Sequence, residues 1–126
     1  MTGEDPIPPT IEWCGDHVRL IDQRLLPAEL RFINAHTVDE LCDAIVTMAV
    51  RGAPALGVAG AMGIALAHVR GEPLDQAAAQ LVATRPTAVN LAWGVNLALR
   101  SADPVAGAVR LAADDIAANR RIGAFG

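Results

Sequence analysis

The sequence predicts an α+β fold in which a small three-stranded antiparallel sheet is followed by a mostly α-helical bundle. Two short β-prone runs flank a Gly-Asp turn near the start of the chain. Capping residues and prolines then divide the rest of the chain into segments of the length that helices usually have. One of these segments is almost wholly apolar. The 126 residues suffice for one compact domain with a core of its own.

The first predicted element is a β-hairpin. The runs 11–14 and 17–22 are joined by Gly15-Asp16, a residue pair typical of tight hairpins. Residues 30–34 can supply a third strand. Such a sheet is stable when a helix covers its apolar face.

The helical part is predicted to begin at a capping box. The hydroxyl of Thr37 can accept a hydrogen bond from the amide of Glu40, and the Glu40 side chain can bond back. Apolar side chains at helical spacing follow, and Gly52 is expected to end this helix.

The next segment, 53–69, is apolar on nearly all sides, and Pro54 suits its first turn. It is shorter than the roughly twenty residues of a membrane span. We therefore interpret it as a buried helix of a soluble protein. Its glycines at 57, 60 and 63 each cost about 1 kcal/mol of helix propensity relative to alanine, so we expect close packing against neighbouring backbones.

Three further helices are predicted, over 74–83, 86–100 and 104–121. The last begins with Asp103 as its N-cap and Pro104 as its first residue. The sequence predicts a flexible N-terminus over 1–10 and one domain over 11–126. Within that domain, a hairpin and third strand span 11–35 and a helical bundle spans 37–121.

Composition excludes several function classes. The chain has no lysine, so it has neither a P-loop lysine nor a Schiff-base lysine. Its one serine, Ser101, is outside any G-x-S-x-G motif. A net charge of −4 and an aromatic content of 3% argue against nucleic-acid binding.

The cysteines, Cys14 and Cys42, show no metal-ligand spacing, and neither do the three histidines. The spacing leaves a disulfide open, although two reduced thiols are the preferred interpretation. The N-terminus has no signal-peptide pattern, and the expected location is therefore cytoplasmic.

Two arginines beside prolines are the best candidates for chemistry. Arg51-Gly52 precedes Pro54, and Arg85 precedes Pro86. A helix N-terminus attracts phosphate, and a guanidinium can bind two phosphate oxygens at once. The alternative is that each arginine is a surface residue or caps a carbonyl group.

Two segments resemble a known family. Residues 48–66, MAVRGAPALGVAGAMGIAL, resemble the signature of methylthioribose-1-phosphate isomerases, and residues 85–93, RPTAVNLAW, resemble their second motif. That family interconverts 5-methylthioribose 1-phosphate and 5-methylthioribulose 1-phosphate in methionine salvage. It is similar in fold to regulatory subunits of a translation-initiation exchange factor and to ribose-1,5-bisphosphate isomerases.

The resemblance implies substrate binding by Arg51, Gly52, Ala53 and Arg85. It places the family's catalytic cysteine and aspartate in a Rossmann-like C-terminal lobe that this chain lacks. We therefore expect no catalytic residue here, no metal or organic cofactor, and an inactive isolated chain that needs the C-terminal lobe. For the full-length family member, the resemblance implies a homodimer that binds a sugar phosphate and no membrane.

Two alternatives remain open at this point. The chain could be a non-catalytic interaction module whose exposed apolar face is covered by a partner. It could also be a sugar-phosphate-sensing regulator of the same fold.

Overall fold

The computed structural model describes residues 11–22, 28, 31–47 and 53–125, without the side chains of 53–54 and 115–125. The described part has the predicted α+β order, three strands followed by five helices. These are β1 Ile11–Trp13, β2 Val18–Ile21, β3 Phe32–Ala35, α1 Val38–Val46, α2 Ala53–Val69, α3 Leu74–Thr84, α4 Val89–Arg100 and α5 Pro104–Phe125.

The sheet is antiparallel with the order β1-β2-β3. The predicted hairpin is confirmed, because the Cys14 amide donates to the His17 carbonyl at 2.8 Å across the turn. Gly15 in that turn has a φ of 92°, a left-handed conformation that glycine adopts without a steric penalty.

The third strand lies slightly later than predicted, at 32–35 rather than 30–34. Its register is set by β2, which pairs Ile21 with Phe32 and Val18 with Ala35. The Asp22 amide also donates to the Arg31 carbonyl at 2.8 Å, just before the strand begins.

Helix α2 is the centre of the fold. It contacts α1, α3, α4, α5 and β1, and every residue from Ala55 to Ala67 is buried. The predicted all-round burial is therefore confirmed. None of the helices in the described part of the chain combines the length and the apolar character that crossing a membrane requires.

The glycines of α2 permit the close packing that their spacing predicts. A Cβ atom built on Gly60 would lie 2.7 Å from the Leu91 carbonyl oxygen of α4, and one on Gly63 would lie 2.6 Å from a methyl carbon of Leu81 in α3. On the α4 side of the crossing, a Cβ on Gly94 would overlap the carbonyl oxygen of Gly57. Backbone therefore meets backbone where α2 and α4 cross.

The first helix is shorter than predicted. Its start is confirmed, since the Thr37 hydroxyl accepts from the Glu40 amide at 3.1 Å and the Glu40 carboxylate accepts from the His36 amide at 2.7 Å. The predicted end at Gly52 is wrong, because α1 ends at Val46. The Thr47 hydroxyl donates to the Asp43 carbonyl at 2.8 Å, which satisfies an acceptor of the last turn.

Helix α4 begins at Val89 rather than at the predicted Pro86. The Ala88 amide donates to the Arg85 carbonyl at 2.9 Å, so Pro86 lies in a turn between α3 and α4. The Asp103 cap of α5 is confirmed, since its carboxylate accepts from the Val105 and Ala106 amides at 3.1 and 3.3 Å.

Candidate functional site

The predicted site residues flank the starts of α2 and α4. Arg51 and Gly52 lie outside the described residues, and Ala53 is the first residue of α2. Arg85 is partly buried and ends α3, where its amide donates to the Val82 carbonyl at 3.2 Å. It precedes the first residue of α4 by four positions.

The N-terminus of α4 has no acceptor of its own for its free amides. The first amides of any α-helix lack an intrahelical partner. In α1 and α5, side chains of Thr37 and Asp103 satisfy some of them. The N-cap of α4 is Ala88, which cannot do so, and no acidic residue lies in the first turn. These amides and the positive end of the helix dipole are therefore available to an anion.

The first turn of α4 packs against the second turn of α2. A Cβ atom built on Gly57 would lie 3.2 Å from the carbonyl oxygen of Asn90. Gly57 follows Ala53 by four residues, about 6 Å along the helix axis, and Asn90 is the second residue of α4. The contact thus brings together the two helix starts beside which the sequence analysis placed its candidate arginines.

Both segments are free of negative charge. No aspartate or glutamate occurs between Arg51 and Arg70 or between Arg85 and Arg100. Among the residues that the structure describes, none forms a hydrogen bond or ion pair with the Arg85 guanidinium. An anionic group near the start of α4 would therefore meet a charged donor and no carboxylate from either of these two segments.

An apolar surface extends from this site along α4. Val89 is 78% exposed and Trp93 is 50% exposed, and Leu97 follows on the same face at helical spacing. Trp93 and Leu97 also line a groove of about 420 Å³ between α4 and α5. The three residues thus lie on one side of α4, which is exposed at Val89 and Trp93 and partly buried at Leu97.

A second polar cluster was not predicted. The rings of His17 and His36 stack with centroids 4.7 Å apart, because the pairing of Val18 with Ala35 places the residues beyond them opposite each other. The hydrogen bond from His17 at 2.7 Å lowers the pKa of Asp16. Within the described ranges, no three His, Cys, Asp or Glu side chains form a group that could hold a metal ion.

Of the features at the candidate site, the uncapped start of α4 was missed by sequence reasoning, since Pro86 was assigned to its first turn. The sequence gives only a weak signal for this uncapped start, because Thr87, a residue type that can cap a helix, directly precedes the Ala88 N-cap.

Comparisons with known proteins identify the family. The chain is 45% identical to a methylthioribose-1-phosphate isomerase of an Anaeromyxobacter species over 100% of its own length and 40% of that protein. It is 51% identical to the enzyme of that name from Parasynechococcus marenigrum over 71% of its length and 27% of that protein. The chain therefore spans less than half the length of these curated relatives. No protein-family model matches it.

Solved structures agree with these relatives. The 5-methylthioribose 1-phosphate isomerase of Pyrococcus horikoshii superposes with a TM-score of 0.83 at 35% identity, over 94% of this chain and 40% of that one. A translation initiation factor eIF-2B delta subunit from A. fulgidus gives a TM-score of 0.67 at 44% identity, over 84% and 34%. The chain belongs to the methylthioribose-1-phosphate isomerase family and corresponds to the N-terminal domain of its members.

Proposed function

We propose that this chain supplies the phosphate-binding part of an isomerase that interconverts 5-methylthioribose 1-phosphate and 5-methylthioribulose 1-phosphate. The substrate phosphate would lie at the adjacent starts of α2 and α4, bound by Arg51, Gly52, Ala53 and Arg85. The observation that carries the proposal is the contact between Gly57 and Asn90, which packs the start of α4 against α2 about one turn from the start of α2.

The chemistry of a phosphate suits this arrangement. Its oxygens accept several hydrogen bonds, and helix amides supply donors without a counter-charge of their own. A guanidinium contributes two parallel donors and a fixed positive charge. The arrangement would thus anchor the phosphate end of the substrate, so that the sugar carbons are held for reaction.

The acid–base chemistry is assigned to the rest of the enzyme. An aldose–ketose isomerisation moves a proton between neighbouring carbons, and this needs a positioned acid or base in a site that excludes water. The described residues near the starts of α2 and α4 include no carboxylate, and Cys42 is buried in α1. We therefore propose that the catalytic groups lie in the part of the family fold that this chain does not span.

The test uses a full-length chimera in which this chain replaces the aligned segment of the Anaeromyxobacter isomerase. Arg51→Ala and Arg85→Ala should each raise KM about 10- to 100-fold, since each removes a charge-assisted hydrogen bond worth about 1.5–3 kcal/mol. Arg100→Ala is the matched control, because Arg100 is an exposed arginine at the opposite end of α4. Unchanged KM in both the Arg51 and Arg85 variants would refute the proposal.

The similarity to a translation initiation factor subunit favours one alternative, a non-catalytic module of the same fold, which in this chain would be a sensor of a sugar phosphate. Calorimetric titration of the chain with methylthioribose 1-phosphate, ribose 1,5-bisphosphate and a nucleotide separates the two. Preference for methylthioribose 1-phosphate favours the isomerase, whereas preference for either of the other ligands favours the sensor.

A further inference from the structure

Two histidines that lie far apart in the sequence meet at one end of the sheet. The pairing of Val18 with Ala35 places His17 opposite His36, and their rings stack with centroids 4.7 Å apart and planes inclined by 24°. The two side chains are 24% and 56% exposed, so ions and water reach both rings. The pair is therefore an accessible set of two imidazole donors, the ligand type that suits Zn²⁺, Cu²⁺ and Ni²⁺.

A carboxylate lies beside the Nδ1 atom of each ring. Asp16 Oδ1 is 2.7 Å from Nδ1 of His17, and Glu40 Oε1 is 3.9 Å from Nδ1 of His36. An ionised carboxylate only accepts hydrogen bonds, so the bond at His17 places the ring proton on Nδ1, and the charge of Glu40 favours the same tautomer at His36. In that tautomer Nε2 carries the free electron pair, and nothing in the described part of the chain bonds to Nε2 of either ring. Histidines that bind metals have this arrangement, with a carboxylate on one ring nitrogen and the metal on the other.

The fold fixes the positions of both carboxylates. Glu40 belongs to the capping box of α1, where its carboxylate also accepts from the His36 amide at 2.7 Å. Asp16 lies in the hairpin turn next to Gly15, whose left-handed conformation sets the turn. The rings and the groups that orient them are thus in place before an ion binds.

We propose that His17 and His36 bind one divalent transition-metal ion, with Zn²⁺ as the representative, through their Nε2 atoms. Histidine nitrogens lie about 2.0–2.1 Å from a bound Zn²⁺, so two nitrogens on one ion are about 4 Å apart or less. The rings reach that separation by tilting toward each other, which the broad terminal torsion of histidine permits. Because the described residues offer no group of three His, Cys, Asp or Glu ligands, water fills the remaining positions on the ion.

The local charges suit a cation. Asp16 and Glu40 are both negative, and they attract a dication that lies between the rings. Arg70 is close by, with its Nη1 atom 3.5 Å from the His36 carbonyl oxygen. Its guanidinium is paired with the Glu72 carboxylate at 3.1 Å, so its charge is balanced there and the two carboxylates beside the rings keep theirs.

The proposed metal site is remote from the proposed phosphate site. Arg70 directly follows α2, so His36 lies near the C-terminal end of that helix, whereas the phosphate is assigned to its start. The 17 residues of α2 span about 25 Å. The inference therefore does not depend on the proposed function, and Zn²⁺ affinity and KM report on the two sites separately.

The test is a calorimetric titration of the untagged chain with Zn²⁺, for which we expect one ion per chain. Loss of an orienting partner typically lowers metal affinity by about 10- to 100-fold, so His17→Ala and His36→Ala should each lower it by at least about 100-fold. Asp16→Asn, which keeps the turn and removes the charge, should lower it by about 10-fold. His68→Ala is the matched control, because His68 is an exposed histidine in the last turn of α2, and it should leave the affinity unchanged. Mg²⁺, which prefers oxygen ligands, should not compete.

Nuclear magnetic resonance of the unmodified chain makes the test independent of whether the variants fold. Addition of Zn²⁺ should shift the Nε2 resonances of His17 and His36 and leave that of His68 in place. A Cys14→Ser variant should bind Zn²⁺ as the unmodified chain does, because the proposal gives the thiol at the other side of the hairpin turn no part in binding.

Three results would overturn the inference. The first is an unmodified chain that binds no Zn²⁺ up to millimolar concentration. The second is an affinity that stays the same in the folded His17→Ala and His36→Ala variants, or Nε2 resonances of these two residues that do not move. The third is loss of binding in Cys14→Ser, which would make a thiol the ligand instead of the histidine pair.

Discussion

The α2–α4 crossing makes a sharp stability prediction for Gly94→Ala. A Cβ atom at position 94 would overlap the carbonyl oxygen of Gly57 and lie 2.7 Å and 3.0 Å from its carbonyl carbon and Cα. These are backbone atoms, so no side chain can rotate to relieve the overlap. The overlap with the oxygen sets the separation, because reaching an ordinary carbon–oxygen contact of about 3.3 Å moves the helices apart by more than about 1 Å.

That separation is costly because α4 packs closely against the buried helix α2. A gap of 0.5–1 Å forfeits about a quarter to a half of the dispersion attraction between facing atoms, and overpacking typically costs about 1–3 kcal/mol. Alanine restores about 1 kcal/mol of helix propensity. Because the overlapped atoms are backbone, the overpacking cost should lie at the upper end of its range, and we expect Gly94→Ala to lower the free energy of unfolding by about 2 kcal/mol.

The matched control is Gly63→Ala, because the three atoms nearest to a Cβ there all belong to the side chain of Leu81. The Leu81 side chain can shift, so the loss should be within about 1 kcal/mol after the gain in helix propensity. Urea denaturation followed by circular dichroism at 222 nm measures both variants. A Gly94→Ala protein as stable as the unmodified chain, or an equal loss in both variants, would refute the reasoning.

Three further predictions concern stability. Desolvation, and then the charges of Asp39 and Asp43, raise the pKa of Cys42 from 9.0 to about 11. The folded state therefore holds the thiol proton to higher pH than the unfolded state, and the free energy of unfolding should fall by about 2 kcal/mol between pH 9 and 11. The chain has no lysine or tyrosine, so urea titrations across this range report on cysteines, and the fall should vanish in Cys42→Ala. Asp103→Ala should cost about 1 kcal/mol through loss of the α5 cap, with recovery in Asp103→Asn, as measured by thermal unfolding. Leu81→Ala should lower the free energy of unfolding by about 2–5 kcal/mol because Leu81 is fully buried. In the same assay, a loss below 1 kcal/mol would show that neighbouring side chains close the cavity.

Strong local signals account for what the sequence predicted correctly. The caps at Thr37 and Asp103 and the turn at Gly15 depend on hydrogen bonds and backbone angles within a few residues, so their chemistry can be read directly. The burial of α2 follows from its composition alone. The family resemblance rests on two long motifs, and the comparisons confirm it.

The errors arose where two local options compete. Gly52 is a good helix terminator, but Thr47 already satisfies the end of α1 through its own hydroxyl. Pro86 fits either the first turn of a helix or a loop. The hydrogen bond from the Ala88 amide to the Arg85 carbonyl places it in the loop. The stacking of His17 on His36 depends on strand register, which is non-local. The roles of Arg51, Gly52, Ala53 and Arg85 in substrate binding stay predictions.

The central position of α2 couples binding to the cooperativity of the whole domain. Because every other helix packs on α2, its middle amides can exchange with solvent only when the domain opens as a unit. A ligand held at the first turn of α2 would bind only the closed state. At a concentration one hundred times its dissociation constant, it would slow hydrogen exchange along the entire helix about 100-fold, far beyond the residues that it touches.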